Sequence, residues 1–431
     1  MRIAVVGSGI SGLASAWLLS REHSVVLFEA QDYFGGHTHT HEIEVEGRHL
    51  AVDSGFIVYN ERHYPLLTRF FTDLGVASQP TTMSFSVRND ATGLQYNASS
   101  LNGLFCQRRN LVSPRFLRMW ADLLRFYREA PAALSRLDST VTLGQFLADG
   151  GYGHAFARDH LVPMTSALWS CPSQHALGFP ARHLLQFMSN HEMLQVSGRA
   201  PWCVVRGGSA SYVRALRSRW RVEERCATPV TAVRRSGSGV LVRNQQHWDV
   251  FDHVVLACHS DQALRLLQDP SEQETEILGA IGYQVNDAVL HTDASVLPSK
   301  RSTWAAWNAY IPREDTSSCN VSYCMNLLQG LDVSTPLVVS LNQTERIDSK
   351  SIIRRMRYEH PVFNTAAIAA QDRKAEIQGA RRTWYAGAYW GWGFHEDGIR
   401  SAVNVAEALG VRWPANGLAP QSDRQGWEAA A

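Results

Sequence analysis

Two stretches near opposite ends of the chain carry residues whose spacing suits chemistry. In "RIAVVGSGISGLASAWLLSREHSVVLFEA", Gly7, Gly9 and Gly12 follow the pattern G-x-G-x-x-G and Glu29 comes seventeen residues later. Gly7 permits a tight turn, Gly9 lets backbone amides approach an anion, and Gly12 allows a helix to pack closely on a strand. Ile10 and Ser11 open that helix at its positive end, and Glu29, followed by Ala30, is placed to accept hydrogen bonds from a ribose. This is the chemistry of holding a dinucleotide. In "GAYWGWGFHEDGIRSA", residues 387–402, Tyr389, Trp390, Trp392 and Phe394 stand among glycines ahead of His395, Glu396, Asp397 and Gly398. A histidine changes charge near neutral pH and can take a proton from a neighbouring substrate. The other reading of His395 is that it hydrogen-bonds Glu396 or the backbone and shapes the loop.

Positioning these groups requires a strand over 2–6, a helix over 11–19, a second strand over 24–28, and, at the other end, a strand over 384–386 with a helix from 398. The chain of 431 residues is long enough for two or three domains. Its net charge of +1 leaves no field to favour nucleic acid, and no basic tract suggests a nucleic-acid path. The seven cysteines form no Cys-x-x-Cys and point to reduced thiols in a cytosolic compartment. No segment has the ~18 uninterrupted apolar residues that span a bilayer.

Residues 64–194 read as mainly helical. In "PRFLRMWADLLRFYREA", Phe116, Trp120, Leu123, Leu124 and Tyr127 share one face, with Arg118, Asp122, Arg125 and Glu129 on the other. This helix either caps the cofactor region or lays its aromatics and arginines on a membrane. Short strands follow Arg206, with a Ser-Gly turn at 236–239, and 281–345 alternate as a further sheet. His37, His39 and His41 alternate in "HTHTH" and on an extended strand would share a face. No carboxylate or thiolate cluster accompanies them, so no metal is assigned, and polar contacts beside the cofactor or a plain surface strand remain open.

"EAQDYFGGHTHT" and "VDSGF" are similar to the extended fingerprint of the glutathione-reductase-type FAD proteins, an acid, a Gly-Gly pair and a downstream Asp-x-Gly, here Glu29, Gly35, Gly36, Asp53 and Gly55. "VVRGGSASYVRALRSRW", "ATPVTAV" and "TWYAGAYWGWGFHEDGIRSAVNVAEAL" extend the resemblance to the flavin-containing amine oxidase and phytoene desaturase superfamily. It implies an α/β fold. A Rossmann-type FAD-binding domain with a parallel sheet, over 1–60, 203–268 and 378–420, is interleaved with a substrate domain of mixed sheet plus helical cap over 61–202 and 269–377, with a flexible tail at 421–431. It also implies FAD, held without a covalent bond because the 384–402 loop has no cysteine. Gly7, Gly9, Ile10, Ser11, Gly12, Glu29, Ala30, Gly35, Gly36, Gly55 and Val230 would hold it. His37 takes the place where many members have arginine. Asp397 would bind the ribitol, and amides of Gly398, Ile399 and Arg400 would face the flavin.

By the same resemblance, His395 falls where amine oxidases carry an aromatic-cage tyrosine. "YQVNDAVLH" falls near their lysine that holds a water at flavin N5, and this chain has Asn286 there and no lysine. Trp390, with Trp392 and Phe394, would wall the site, so His395, Asn286 and Trp390 form the candidate catalytic set. "FPARHLLQFMSNHEML", "WCVVRGGS", "WNAYIP" and "GFHEDG" resemble a bacterial subgroup associated with enzymes that modify unsaturated or cyclopropane fatty acyl chains. The expectation is therefore an FAD-dependent oxidoreductase taking hydride from an apolar, lipid-like substrate to flavin N5, with O2 or another acceptor reoxidising the flavin. No second G-x-G-x-x-G is present for NAD(P)H. The alternatives are an amine oxidase and a non-catalytic lipid-handling protein on the same scaffold, as in the Rab GDP-dissociation inhibitors. The expected setting is cytoplasmic, with peripheral contact at the inner face of the membrane.

Overall fold

Arg2–Val6 has no polar face: Ile3, Ala4 and Val5 are fully buried, as in a strand covered on both sides. In the computed structural model, which describes residues 1–245, 247–313 and 319–414, this strand is central in a five-stranded parallel sheet. The order is Val222–Arg225, Ser24–Phe28, Arg2–Val6, His253–Leu256, Thr383–Tyr385. Strands from three separated stretches of chain thus build one α/β layer, since parallel neighbours need long crossovers. The expected tail, and the part of the cofactor piece beyond residue 414, lie outside the described residues.

A seven-stranded mixed sheet forms the second layer, in the order Ile352–Val362, Gly282–His291, Val338–Leu341, Val321–Cys324, Trp307–Ile311, Phe85–Asn89, Leu94–Asn97. An antiparallel ribbon of Val230–Arg235, Val240–Asn244 and His247–Phe251 turns where Ser236 N donates to Gly239 O. The stretch expected to be mainly helical also contains Ser78–Thr81, Phe85–Asn89 and Leu94–Asn97. Ser78–Thr81 pairs with Trp202–Val205 and Phe85–Asn89 with Trp307–Ile311, partners too distant in sequence to leave a local signal.

The cap helix runs over Pro114–Leu134, but its faces are not those expected. Asp122 is 7 % exposed and Leu124 57 % exposed. Asp122 turns inward because its carboxylate accepts from Gly153 N (2.9 Å) and pairs with Arg125 (3.3 Å), which rotates Leu124 to the outside. Among the described residues no helix is long and apolar enough to cross a membrane.

All ten residues of the first helix, Ile10–Leu19, are buried, packed between the parallel sheet and the final helix, His395–Ala408. Two glycines set that packing. A Cβ on Gly12 would lie 1.8 Å from Gly7 O, and one on Gly398 would lie 2.6 Å from Ile10 Cγ2. The final helix begins three residues before the expected start. Asp397 accepts from Phe394 N (3.1 Å) and Trp392 N (3.0 Å), which caps the helix at Phe394. Gly398→Ala forces a methyl into Ile10 and Ser11 and is expected to lower stability by about 1–3 kcal/mol, read as a urea-denaturation midpoint at unchanged slope.

Candidate active site

The turn after the first strand, the first helix and the end of Ser24–Phe28 meet at one end of a cavity of about 620 Å³. The helix cap, Gly9, brings no side chain to the first-turn amides, and Gly9, Ile10 and Ser11 line the cavity with the positive end of the helix. Gly7, Gly35 and Gly36 line it beside them. Gly36 (φ 58°) approaches so closely that a Cβ would sit 3.0 Å from Gly9 Cα. Glu29 and Ala30 follow at the strand end. One Glu29 oxygen accepts from Ser8 N (2.9 Å) and Ser8 Oγ (2.5 Å), the other from Gln31 N (2.8 Å). Val230 lines this end from the ribbon, and Gly55 lines the cavity against the backbone of His37, whose oxygen a Cβ on Gly55 would meet at 2.1 Å. Gly12 stays behind, as a packing residue. Asp53 also stays behind, accepting from Ser209 N (2.9 Å) and Thr40 Oγ1 (2.5 Å), with burial raising its pKa to about 6.

His37 lines the cavity next to Gly36, and its Nε2 is buried without a protein partner. Withdrawal from water, reinforced by His360, His259 and His395, holds its pKa well below the usual value. A glycine cradle on helix amides, a carboxylate at a strand end and an unpartnered buried imidazole nitrogen are the donor set that a flavin dinucleotide needs. The residues present fit FAD.

The "HTHTH" stretch does not present one face. His37 turns into the cavity, and only His41 lies in the strand Thr40–Val45. His39 Nδ1 meets Tyr358 OH (3.1 Å) and His41 Nε2 meets Ser54 Oγ (2.8 Å). Among the described residues no group of three or more His, Cys, Asp or Glu could hold a metal ion.

His395 lines the cavity, stacked on Phe56 with ring centres 3.6 Å apart. Its Nε2 meets Thr38 Oγ1 (3.1 Å) and Tyr212 OH (3.4 Å) rather than Glu396 or the backbone. Glu396 instead accepts from Leu66 N (3.1 Å) and Leu67 N (3.0 Å), capping Pro65–Leu74, and burial raises its pKa to about 7. Loss of solvation lowers the His395 pKa to about 3, so the ring is uncharged near neutrality. The expectation that it changes charge there is corrected by that environment.

Other expected residues lie elsewhere. Trp390 is buried outside the cavity and donates Nε1 to Tyr385 O (3.0 Å), while Trp392 and Phe394 line the wall. Asp397 spends its carboxylate on loop amides and Arg400. Gly398, Ile399 and Arg400 sit inside the helix, where Gly398 N already donates to Phe394 O (3.1 Å), so their amides are not free for a ligand.

Asn286 is fully buried behind the cavity, and its neighbour His360 is the group that lines it. Asp287 N donates to Asn342 Oδ1 (3.0 Å), and Asn342 Nδ2 donates to Cys319 O (2.9 Å) and to Asn286 Oδ1 (2.7 Å). The backbone groups at both points fix the two amides, so Asn286 Nδ2 is the donor to His360 Nδ1 (3.0 Å). His360 therefore carries its proton on Nε2. Burial, and then His259, lowers its pKa to about 4. Sequence reasoning missed His360, Tyr358, His259 and Trp169. The first two stand opposite Gln284 and Asn286 in strand register, which no local pattern reveals.

The far end of the cavity is aromatic. Trp169, Phe363, Trp392 and Phe394 line it, Trp169 Nε1 donates to Trp392 O (2.9 Å), and Phe394 stacks on Phe187.

Residues 10–325 match the family described as flavin containing amine oxidoreductase. Among the solved structures that share the fold are the following three. A CLA-producing fatty acid isomerase from P. acnes is 15 % identical, with TM-score 0.67 over 95 % of this chain and 98 % of that one. Putrescine oxidase bound to putrescine is 13 % identical, with TM-score 0.69 over 96 % and 100 %. Cyclohexylamine oxidase from Brevibacterium oxydans IH-35A is 17 % identical, with TM-score 0.64 over 95 % and 99 %. No curated relative matches the chain significantly.

The amide relay makes a spectroscopic prediction. Nitrogen-15 shifts should show His360 as the neutral Nε2–H form throughout about pH 5–8. Asn286→Asp replaces the donor with an acceptor, draws a proton to Nδ1 and favours the imidazolium, so the His360 pKa should rise and its signal should titrate within that window. A wild-type His360 that titrates there, or carries its proton on Nδ1, would show the relay to be absent.

Proposed function

The chain belongs to the flavin-containing amine oxidoreductase family and is by that membership an FAD-dependent oxidoreductase; we propose that it holds FAD without a covalent bond and oxidises an apolar, lipid-like acyl chain. The observation that carries the substrate reading is the aromatic far wall of the cavity together with the uncharged imidazoles that line it, Glu29, Arg265 and Glu359 being the charged residues of the lining. His37, His360 and His395 are all kept uncharged by withdrawal from water, and the far wall is aromatic. A neutral chain can enter without stranding a charge, whereas a cation would have to be desolvated beside uncharged rings.

FAD, when bound, supplies a two-electron acceptor for hydride. The first-turn amides at Gly9, Ile10 and Ser11 are placed to hold phosphate, and Glu29 to accept from a ribose hydroxyl in exchange for Ser8 Oγ. Trp392 and Phe394 exclude water from the apolar end. His360, with Nδ1 committed to Asn286, offers Nε2–H to an oxygen of the substrate. The fold also serves a fatty acid isomerase, which supports an acyl substrate. Seven free thiols support a reducing, cytoplasmic setting.

One observation favours amine oxidation as a second reading. Besides Glu29, Glu359 is the carboxylate among the cavity-lining residues, 3.3 Å from His259 Nδ1, and it would be the anion for an ammonium group. A fold shared with putrescine oxidase agrees with that. Anaerobic flavin bleaching decides. Faster reduction by unsaturated or methylated acyl lipids than by simple amines supports the acyl reading, and the reverse order, abolished by Glu359→Gln, overturns it.

The purified protein should absorb at about 450 nm and release its flavin on acid treatment. A Cβ on Gly9 meets nothing within 4 Å, so Gly9→Ala should leave the stability of the apoprotein within about 0.5 kcal/mol of wild type while sharply weakening flavin retention. Loss of fold in that variant, or retention like wild type, would contradict the cradle. With a pKa of about 3, His395 should add no break to the pH profile of flavin reduction near neutrality, and His395→Phe should preserve the profile's shape.

A further inference from the structure

The outer surface of the cap combines exposed apolar groups with an excess of positive charge, and the catalytic reading uses neither. Pro114–Leu134 turns Phe116, Met119, Leu123 and Phe126 inward. It turns Leu117 and Leu124 outward, two turns apart on one face. Just ahead of the Ser113 cap, Leu111 and Val112 are 50 % and 80 % exposed. Four of the twelve exposed large apolar side chains among the described residues therefore fall within 111–124, and such clustering on a soluble surface marks contact with something apolar.

Arg118 and Arg128 run beside this stripe, while Arg125 turns in to Asp122 (3.3 Å) and lies over the Tyr152 ring. Asp122 is turned in to Gly153 N, and Glu129 is held by Tyr152 OH (3.0 Å) and Arg128 (3.2 Å). Residues 101–136 contain seven arginines and two carboxylates, +5 in a chain whose total is +1, so the remainder is net negative. We propose that this face docks peripherally on an anionic phospholipid bilayer, with Leu111, Val112, Leu117 and Leu124 entering the acyl boundary and the arginines meeting the headgroup phosphates.

Charge complementarity selects the occupant. A second copy placed on this face would bring arginine against arginine, and a purely apolar partner would leave the guanidinium groups without counter-charge. An anionic bilayer offers phosphate at the surface and hydrocarbon just beneath, matching arginine's planar fork and the depth of a surface-lying helix. Because the helix is not long and apolar enough to cross, it would lie in the plane of the interface. Its inner side packs in the same apolar cluster as Trp169 and Phe187. The lipid surface and the cavity would then stand on opposite sides of one apolar layer. Docking does not depend on the acyl reading, because it is measured without turnover.

The test is co-sedimentation of the full, flavin-loaded chain with vesicles of phosphatidylglycerol and phosphatidylcholine, against phosphatidylcholine alone. Binding to the anionic vesicles should weaken about tenfold or more on the neutral ones and in raised salt. Arg118→Glu/Arg128→Glu and Leu117→Ser/Leu124→Ser should each weaken it by about tenfold as well. All four positions are exposed, so an unchanged flavin spectrum and melting temperature will show that the variants fold. Absent binding, equal binding to both vesicles, or variants that bind like wild type would overturn the proposal. So would an oligomer that Leu117→Ser/Leu124→Ser dissociates in a chain that ignores vesicles.

Discussion

Two helices from opposite ends of the chain touch where one of them, at Gly398, has no side chain, and the cavity depends on that contact. Gly398 in the last helix lies against Ile10 and Ser11 in the first, so the loop at 387–394 is carried to the same cavity as the glycine turn. The final helix then fixes the loop with its own polar groups. Asp397 accepts the Trp392 and Phe394 amides, and Ser401 Oγ accepts from Gly387 N (2.9 Å). Gln371 Nε2 adds bonds to Tyr389 O (2.7 Å) and Gly391 O (2.6 Å) from a neighbouring helix. A carboxylate expected to hold ligand is thus spent on preorganising the wall, and rigidity there is what keeps Trp392 and Phe394 turned toward the substrate space.

The electrostatic character of the cavity follows from the same enclosure. Imidazoles in water titrate near neutrality, but those lining this cavity have lost solvation and lie close enough to disfavour one another's charge. They act as fixed dipoles, not as charges. His360 is the clearest case, because the chain from the Asp287 amide through Asn342 and Asn286 decides which nitrogen holds its proton. A buried polar network in which each member is oriented by a backbone group specifies a tautomer without needing a charge.

What was legible in the sequence was what local covalent structure demands. The turn at Gly7, the close helix contact at Gly12 and Glu29 at a strand end could each be read from type and spacing, whereas Gly35 and Gly36 were reached through the resemblance to the FAD proteins. The rest depended on distant partners. Asp122 is turned inward by Gly153, thirty-one residues away, so helical periodicity placed it and Leu124 on the wrong faces. Trp390 and Trp392 stand two apart in a glycine-rich loop with no period, and the short turn Ala388–Trp390 decides which of them meets the cavity. His360 reaches its place through the pairing of Gln284 with His360 across two strands, a register set by the whole sheet.

The distribution of charge ties the cap to the cavity. The helix that contributes Phe116 and Phe126 to the apolar layer behind the aromatic wall also carries arginines on its outer side, and the two sides differ because only one of them is hydrated. A guanidinium in the cavity would require a partner or a large desolvation cost, whereas on the outer side it keeps its water or exchanges it for phosphate. The turned-in Asp122 serves both sides at once. By binding the Gly153 amide it anchors the helix, and by turning inward it takes one of the helix's two carboxylates away from Leu117 and Leu124. A single buried hydrogen bond thereby bears on both the packing of the inner layer and the charge presented by the outer one.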